Sequence, residues 1–598
     1  MRARSIRPPK IAALPRLQPR LSVTPVDYSE LAEAVKSTLP RLDETEFLEW
    51  LREKEKVVFL FGPPGTGKTY HATRLAARGR VDLPHGAAVT LHDGNLPVSA
   101  GYFTVSMAQD AERRWAKDLG ELCGGQVTTV HSFAVRSLGL GLRIFPVAWR
   151  GPDGRLHLSR VEGAEVVHDV SLAIELARAT ASKSVGVAYS LDPYMQEPGN
   201  YLFQLFDYAL HVGGVSALRA AYMRLDARGQ TVWRKYLKLL RWPPELINQV
   251  LRGKTDSLCE AAGGAYELYR ALAAGRMKLD FSLVVEVARC LRQSYLLTCG
   301  KQRIAPRVLL LDEFQDLSPA LRNLVARIFP DVEYVVLAGD DDQLIYDSLH
   351  GASADATLKI VEMIQKGEIP GEYHVLAKSF RVPEKPIAEL AKRIIEAVPN
   401  RVKKVWQGRP EPGSILRIHR SQLRQAVEAE LAAGKKVFVL CADNATAQSL
   451  MLELVELLPA GLKGLPGSLR KLYADLLEYL KKRSSLAAYL KEAGQERPSP
   501  DVLRFLEMVK GREEEAVKII KTALDTEKAL ARLEKLRLFV DTVHAAKGLE
   551  AEVVFMANFA TSERFVNNRR LTYVALTRAR EKVYIVEDEE GKRWLADL

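Results

Sequence analysis

Apolar positions along the chain follow two rhythms. Short runs without polar alternation recur at VVFLF (57–61), YFTV (102–105), VLLL (308–311), YVVLA (334–338), VFVLC (437–441), VVFM (553–556) and VYIV (583–586). A strand so uniformly apolar has both faces covered, as in parallel α/β sheets. The runs form two groups, which predicts two α/β cores. A second rhythm, apolar residues at i, i+3 and i+4, marks AEVVHDVSLAIELARATA (164–181), VWRKYLKLLRW (232–242), LRKLYADLLEYLKKR (469–483) and EEEAVKIIKTALDTEKALARLEKLRLF (513–539). That spacing predicts amphipathic helices, grouped as one mainly helical insertion in each core.

The expected organisation follows from these patterns. A basic, proline-containing arm (1–25) precedes a first core (26–137 and 273–372) interrupted by a helical insertion (138–272). A second core (373–450 and 537–598) is interrupted by a shorter helical insertion (451–536). A chain of 598 residues is far too long for one hydrophobic core, so several domains are expected. No run of 18 apolar residues occurs, and the N-terminus lacks the apolar stretch of a secretory signal. These features argue against a membrane role.

Charge narrows the class of partner. The chain carries 86 Lys and Arg against 74 Asp and Glu, a formal +12, which favours a polyanion such as nucleic acid. Cys123, Cys259, Cys290, Cys299 and Cys441 show no C-x-x-C pair and no zinc spacing. Buried free thiols in a reducing compartment are the expectation, with a cluster of Cys259, Cys290 and Cys299 the lesser alternative. Nine asparagines among many charged residues hint at a heat-adapted source.

Candidate chemistry begins at GPPGTGKT, which runs from the end of a predicted strand into a helix-compatible stretch. In Gly62, Pro63, Pro64, Gly65, Thr66, Gly67, Lys68 and Thr69, the glycines let backbone N–H groups converge on phosphate oxygens. Lys68 would reach the outer phosphates, and the Thr69 hydroxyl would bind Mg²⁺. VLLLDEFQD (308–316) then delivers two acids at a strand end, where sites of open parallel sheets form. Asp312 suits Mg²⁺, and Glu313 suits the base that orients and deprotonates an attacking water. GDDDQLIY (339–346) is harder to explain, because three adjacent aspartates at the mouth of a buried strand repel one another. A solvated turn is the plain reading of that element by itself.

Taken together, GPPGTGKT, DEFQD and GDDDQLIY resemble the motifs of the UvrD/Rep/PcrA-like superfamily-1 DNA helicases. So do TTVHSF (128–133), LDF (279–281), SFR (379–381), TVHAAKGLE (542–550) and RRLTYVALTRAR (569–580). The resemblance spans about residues 57–586 and implies an α/β fold of two RecA-like parallel-sheet motor domains, each with a mainly helical insertion. It implies that Gln343 senses the terminal phosphate in the cleft between the cores, with the neighbouring aspartates beside Mg²⁺ and basic side chains. It further implies that Arg381 and Arg578 stabilise charge during phosphoryl transfer and that Glu550 contacts the nucleotide ribose. Phe380 stands where the family stacks a tyrosine on the base, a task Tyr70 also suits. Phe103, Thr129, His131, Tyr346, Thr542 and His544 match single-stranded DNA contacts, and no sequence readout is expected of them.

Two departures stand out. LDETEFLEWLREKEK (42–56) contains no glutamine where the family reads adenine, so strict ATP preference is not implied. IYDSLHGA (345–352) lacks the usual tryptophan and leaves His350 as the stacking-capable residue there. The resemblance implies an ATP- and Mg²⁺-dependent enzyme, cytoplasmic and nucleoid-associated, that moves 3′ to 5′ on single-stranded DNA and opens forked duplex. A monomer or weakly self-associating protein is expected. Two alternatives stay open at this point: a translocase that strips proteins without unwinding, and a nucleotide-gated DNA-binding scaffold.

Overall fold

The computed structural model describes residues 28–120, 122–138, 165–166, 198–442, 446–447, 450, 453–454, 537–557 and 569–587. The basic arm, most of the second insertion and the helix predicted from VSLAIELARATA lie outside these residues.

Two parallel sheets organise the described chain. The first has six strands in the order Gly371–Val375, Lys56–Phe61, Tyr334–Gly339, Val308–Leu311, Val98–Tyr102 and Val127–Thr129, all paired in parallel. The second has five, also parallel, in the order Ser414–His419, Ala579–Glu587, Ala551–Met556, Val437–Cys441 and Leu538–Thr542. The protein is therefore α/β, with two RecA-like cores. Coverage on both faces explains the uninterrupted apolar strands. In Lys56–Phe61, Val57, Phe59 and Phe61 join one hydrophobic cluster while Val58 and Leu60 join another on the opposite face.

Sheet register sets up the site. Phe61 pairs with Gly339, and Leu311 lies opposite Leu337, so Gly62, Asp312 and Asp340 leave neighbouring strands along one edge. This is the carboxyl edge, where parallel sheets place their ligands.

The insertion between strands of the first core is helical, as predicted. Its described helices are Pro198–Arg224, Ala227–Leu239, Pro244–Arg252, Leu258–Ala261 and Ala265–Ala273. Trp233, from the predicted VWRKYLKLLRW helix, is fully buried and donates its ring N–H to Leu202 O at 2.8 Å. Pro198–Arg224 bends at Gly214, whose φ of 59° suits glycine. It packs into the same cluster as the first sheet, and Leu42 N donates to Val212 O at 2.8 Å. Among the described residues no helix is long and apolar enough to cross a membrane.

Three local expectations are corrected. YFTV is not a strand: the strand is Val98–Tyr102, and Thr104 instead accepts from Met107 N as the cap of helix Val105–Leu119. Its small residues mislead the eye, yet at Gly101 any Cβ would run into the Phe133 ring. Glu165–Val166, inside a segment predicted helical, pairs with Lys278–Leu279 as strand. Four cysteines are not free thiols. Cys123 is joined to Cys299 and Cys259 to Cys290, with Cα atoms 4.6 and 5.9 Å apart, while Cys441 is buried. The first link is prepared by backbone pairing of Gly124 with Thr298 over a separation that spacing in sequence cannot reveal. Cys299 is thereby committed to Cys123, which excludes the three-cysteine cluster.

Candidate nucleotide site and nucleic-acid track

The phosphate loop leaves strand Lys56–Phe61 and enters helix Lys68–Arg78. Gly65 adopts a φ of 76°, and a Cβ there would collide with the Cβ of Arg381. Glycine thus permits the SFR segment of the second core to lie directly on the loop. Phe380 N donates to Gly65 O at 2.8 Å, and Ser379 Oγ donates to Pro64 O at 2.7 Å. Phe380 and Tyr70 are both about half exposed beside this loop, with Lys378 Nζ 5.7 Å from the Phe380 ring centre and the Arg74 guanidinium 4.9 Å from that of Tyr70.

Beneath the loop, Thr69 Oγ1 donates to Asp312 Oδ2 at 2.7 Å, which brings together the two groups predicted to hold Mg²⁺. Lys68 Nζ donates to Gly62 O and to Pro63 O, the latter at 3.1 Å. Burial lowers the Lys68 pKa, against the pull of Asp340, Glu313 and Asp312. Burial, reinforced by Glu313, pushes Asp312 up to about 6. Burial also works to raise Glu313, but Lys547 and Lys68 outweigh it and hold that carboxyl below its ordinary value. Glu313 is therefore ionised at neutral pH, as a general base must be. Its φ of 53° is a strained conformation for a residue with a side chain.

Gln315 was not singled out from sequence. Its Nε2 donates to Glu313 Oε2 at 2.6 Å, and its Oε1 accepts from Asp340 N at 2.9 Å, linking DEFQD to GDDDQLIY. Gln343 continues the chain of contacts. Its Nε2 donates to Asp340 Oδ2 at 2.9 Å, while its Oε1 accepts from Arg578 Nη2 of the second core at 2.8 Å. Burial, then Arg381, pushes the Arg578 guanidinium down to about 9, still charged at neutral pH. Arg381 pairs with Glu550, whose other oxygen lies 3.1 Å from Arg580 Nη1. Lys547, also missed, pairs with Asp316 and donates to Gln343 O at 2.7 Å. Burial pushes Asp316 up to about 7 even so.

The three aspartates are not a solvated turn. Asp340 and Asp341 have no exposed surface and Asp342 only 1%. Lys404 Nζ pairs with all of them, at 2.9 Å from Asp340 Oδ1, 3.1 Å from Asp342 Oδ2 and in close contact with Asp341. Arg401 makes a two-pronged pair with Asp342 at 2.6 and 2.7 Å, and Val402 N donates to Asp341 Oδ2 at 2.7 Å. Burial would lower the Lys404 pKa, but the three carboxylates raise it well above its ordinary value. RVKK (401–404) carries no motif signature, which is why its role was invisible beforehand.

On the side expected to face DNA, the structure gathers most of the predicted rings. Phe103 lies 4.8 Å from Tyr346 and 6.3 Å from His350 between ring centres, and Tyr346 lies 5.5 Å from His544. Tyr346 Oη donates to His544 O at 3.1 Å, joining the two cores. His131 reaches this group through His211, whose ring centre is 5.6 Å from its own. Thr129 and Thr542 stand apart from the rings. Thr129 caps helix Val130–Ser137 by accepting from Ser132 N, and Thr542 Oγ1 accepts from Ala545 N.

Residues 51–348 match the family model described as an AAA domain, and residues 537–586 match that of the UvrD-like helicase C-terminal domain. The chain belongs to the UvrD-like superfamily-1 helicases. A probable DNA helicase II homolog of Mycoplasma capricolum subsp. capricolum is 28% identical over 148 residues, 24% of this chain and 20% of that protein. The ATP-dependent DNA helicase UvrD2 of Mycobacterium tuberculosis is 27% identical over 217 residues, 35% of this chain and 30% of its own length. The matches thus span less than a third of these curated relatives. Lys68, Thr69, Asp312, Glu313, Gln343, Arg381, Arg578 and Glu550, the residues expected on the nucleotide side, lie together between the cores.

Replacing Lys404 with Met should leave three carboxylates buried without their shared cation. Removing one partner of a buried ion pair costs about 3–5 kcal/mol, so the Lys404→Met protein should unfold at clearly lower denaturant concentration. An Asp341→Asn change added to it should recover part of the loss. Matching unfolding midpoints for wild type and Lys404→Met would show that the cluster contributes nothing to stability.

Proposed function

We propose that the chain is an ATP-driven DNA helicase that moves 3′ to 5′ along single-stranded DNA and separates duplex ahead of it. The observation that carries this reading is the contact path Glu313–Gln315–Asp340–Gln343–Arg578, which runs from the candidate base of one core to a cation of the other. A set that meets only across a cleft suits hydrolysis coupled to opening and closing of that cleft.

The residues present fit Mg²⁺-nucleotide. Gly65 forms a tight backbone cradle in which any side chain would clash, and the Thr69 hydroxyl and Asp312 carboxylate converge beside it. Thr69 and Asp312 would hold the ion, which when bound neutralises phosphate charge. Lys68 binds the outer phosphates by exchanging its carbonyl partners for phosphate oxygens. Glu313 takes the proton of the attacking water, held ionised by Lys68 and Lys547. Arg381 and Arg578 meet the charge that develops on the transferred group. Glu550 orients Arg381 and Arg580 and lies where a ribose hydroxyl would be read. Phe380 and Tyr70 stack on a base without selecting it. Phe103, Tyr346, His350, His544 and His131 form the aromatic part of the strand's track, with Thr129 and Thr542 lending hydroxyls or shape at its margins.

Glu313→Gln should keep Mg²⁺-nucleotide affinity within a few-fold while slowing hydrolysis by about 10²–10⁴, because the amide takes no proton from water. Parallel loss of binding and turnover in equilibrium and single-turnover measurements would count against the base role.

Gln343→Ala should remove the bridge between Asp340 and Arg578 without touching the loop. Basal ATPase and both affinities should stay within several-fold of wild type, whereas stimulation by single-stranded DNA should drop about tenfold or more. Full stimulation in the folded variant would detach Gln343 from coupling.

Direction is tested with tailed duplexes. Unwinding is expected with a 3′ single-stranded tail and not with a 5′ tail. The reverse preference would overturn the polarity, and ATPase stimulated by DNA without strand separation would favour a translocase.

A further inference from the structure

Asp207 and His211 lie one turn apart on helix Pro198–Arg224 and therefore share a face. His350, the last residue of the short helix Asp347–His350, stands opposite them. His211 Nε2 is 3.6 Å from Asp207 Oδ1, and His350 Nδ1 is 3.2 Å from Asp207 Oδ2. One ligating atom from each residue lies within 4.8 Å of the other two. Supporting contacts come from behind. The far nitrogen of His211, Nδ1, is 2.9 Å from Ser318 Oγ, which also accepts from Leu321 N, and the Ser282 hydroxyl donates to Asp207. His350 Nδ1 is buried and makes no hydrogen bond, despite the carboxylate oxygen beside it.

We propose that Asp207, His211 and His350 form a binding site for a divalent transition-metal ion of the zinc class. Two imidazoles and one carboxylate suit Zn²⁺, Co²⁺ or Ni²⁺, whereas Mg²⁺ prefers six oxygens. Around a tetrahedral ion with bonds of about 2.0–2.1 Å, ligand atoms are roughly 3.3 Å apart, so the set needs only small side-chain shifts to close. Ser318 and Ser282 do what outer partners of metal sites do: they fix ring and carboxylate orientation while leaving the inner atoms facing one another. Three protein ligands leave a position for water or for His131, whose ring centre is 5.6 Å from that of His211.

The site joins two parts of the chain. Asp207 and His211 belong to the helical insertion, and His350 ends the segment begun by GDDDQLIY. The His350 ring is nearly parallel to Tyr346, 21° and 6.0 Å away. A bound ion would thus pin one ring of the aromatic row to the insertion. That consequence rests on the proposed function, whereas ion binding does not.

The test uses the full chain, stripped with a chelator and titrated with Co²⁺, with Zn²⁺ as competitor. One equivalent of Co²⁺ should develop visible d–d absorption that Zn²⁺ abolishes and excess Mg²⁺ leaves in place. Asp207→Asn and His211→Gln should each weaken binding tenfold or more, with helical circular dichroism retained. His350→Gln, at a position whose side chain is 28% exposed, gives the same readout should either buried variant fail to fold. Absence of stoichiometric binding by the folded chain, or binding indifferent to these substitutions and marked by thiolate charge-transfer bands, would overturn the site. Either result would leave DNA-stimulated ATPase standing, so failure here is distinct from failure of the motor reading.

Discussion

Much of this structure depends on how six carboxylates are kept out of water at one sheet edge. Asp312, Glu313, Asp316, Asp340, Asp341 and Asp342 are each at most 9% exposed. Burying an unpaired charge costs several kcal/mol even after relaxation, so this group is tolerable only with cations in contact. Lys68 is the cation the phosphate loop itself brings. Lys404, Arg401, Lys547 and Arg578 come from chain beyond the first sheet, and they contact Asp340, Asp341, Asp342, Asp316 and Gln343. Each core therefore holds charges that the other neutralises. Parting the cores would expose both sets to water, which offsets much of the lost attraction. Such a balance leaves the cleft sensitive to a strongly anionic ligand, because added phosphate competes for the same cations.

Through that balance, cations of the second core hold the buried acids of the first. Arg578 is engaged by Gln343, and Arg381 by Glu550. Both guanidiniums are held in place by these partners. Glu313 is prepared in the same sense, since Gln315, Lys68 and Lys547 set its orientation and ionisation.

Legibility in the sequence tracks locality. The phosphate loop, the acidic strand end and the central strands were readable because each is a contiguous pattern whose chemistry needs adjacent residues. Both sheets could be anticipated for the same reason, apart from Val127–Thr129, Gly371–Val375, Ser414–His419 and Leu538–Thr542, which are short or mixed with polar residues. Val98–Tyr102 was missed because Ser99, Ala100 and Gly101 are small, and at Gly101 the close approach of Phe133, not hydrophobicity, sets the residue. Lys404 and Arg401 carry no local signature, and Gln315 and Lys547, although they lie inside DEFQD and TVHAAKGLE, take their meaning from partners up to 231 residues distant. The cysteines illustrate the same limit, for pairing of Cys123 with Cys299, 176 residues apart in sequence, follows from the backbone bridge between Gly124 and Thr298.

GDDDQLIY and the residues after it form a single short path between two kinds of site. At its start Asp340 accepts from Gln343 and meets Gln315, within reach of the phosphate loop. In its middle Ile345 O meets His544 Nε2 at 3.0 Å, and Tyr346 Oη returns a bond to His544 O. At its end His350 faces Asp207 of the insertion. Its successive anchors are the two cores and then the helical insertion. Close-packed interiors do not stretch, so a shift imposed at one anchor is passed on as rearrangement at the next or resisted outright. Three aspartates at a strand mouth then make physical sense. They tie the first stage, through Lys404 and Arg401, to the second core, so that the segment is held between both cores before it reaches the rings.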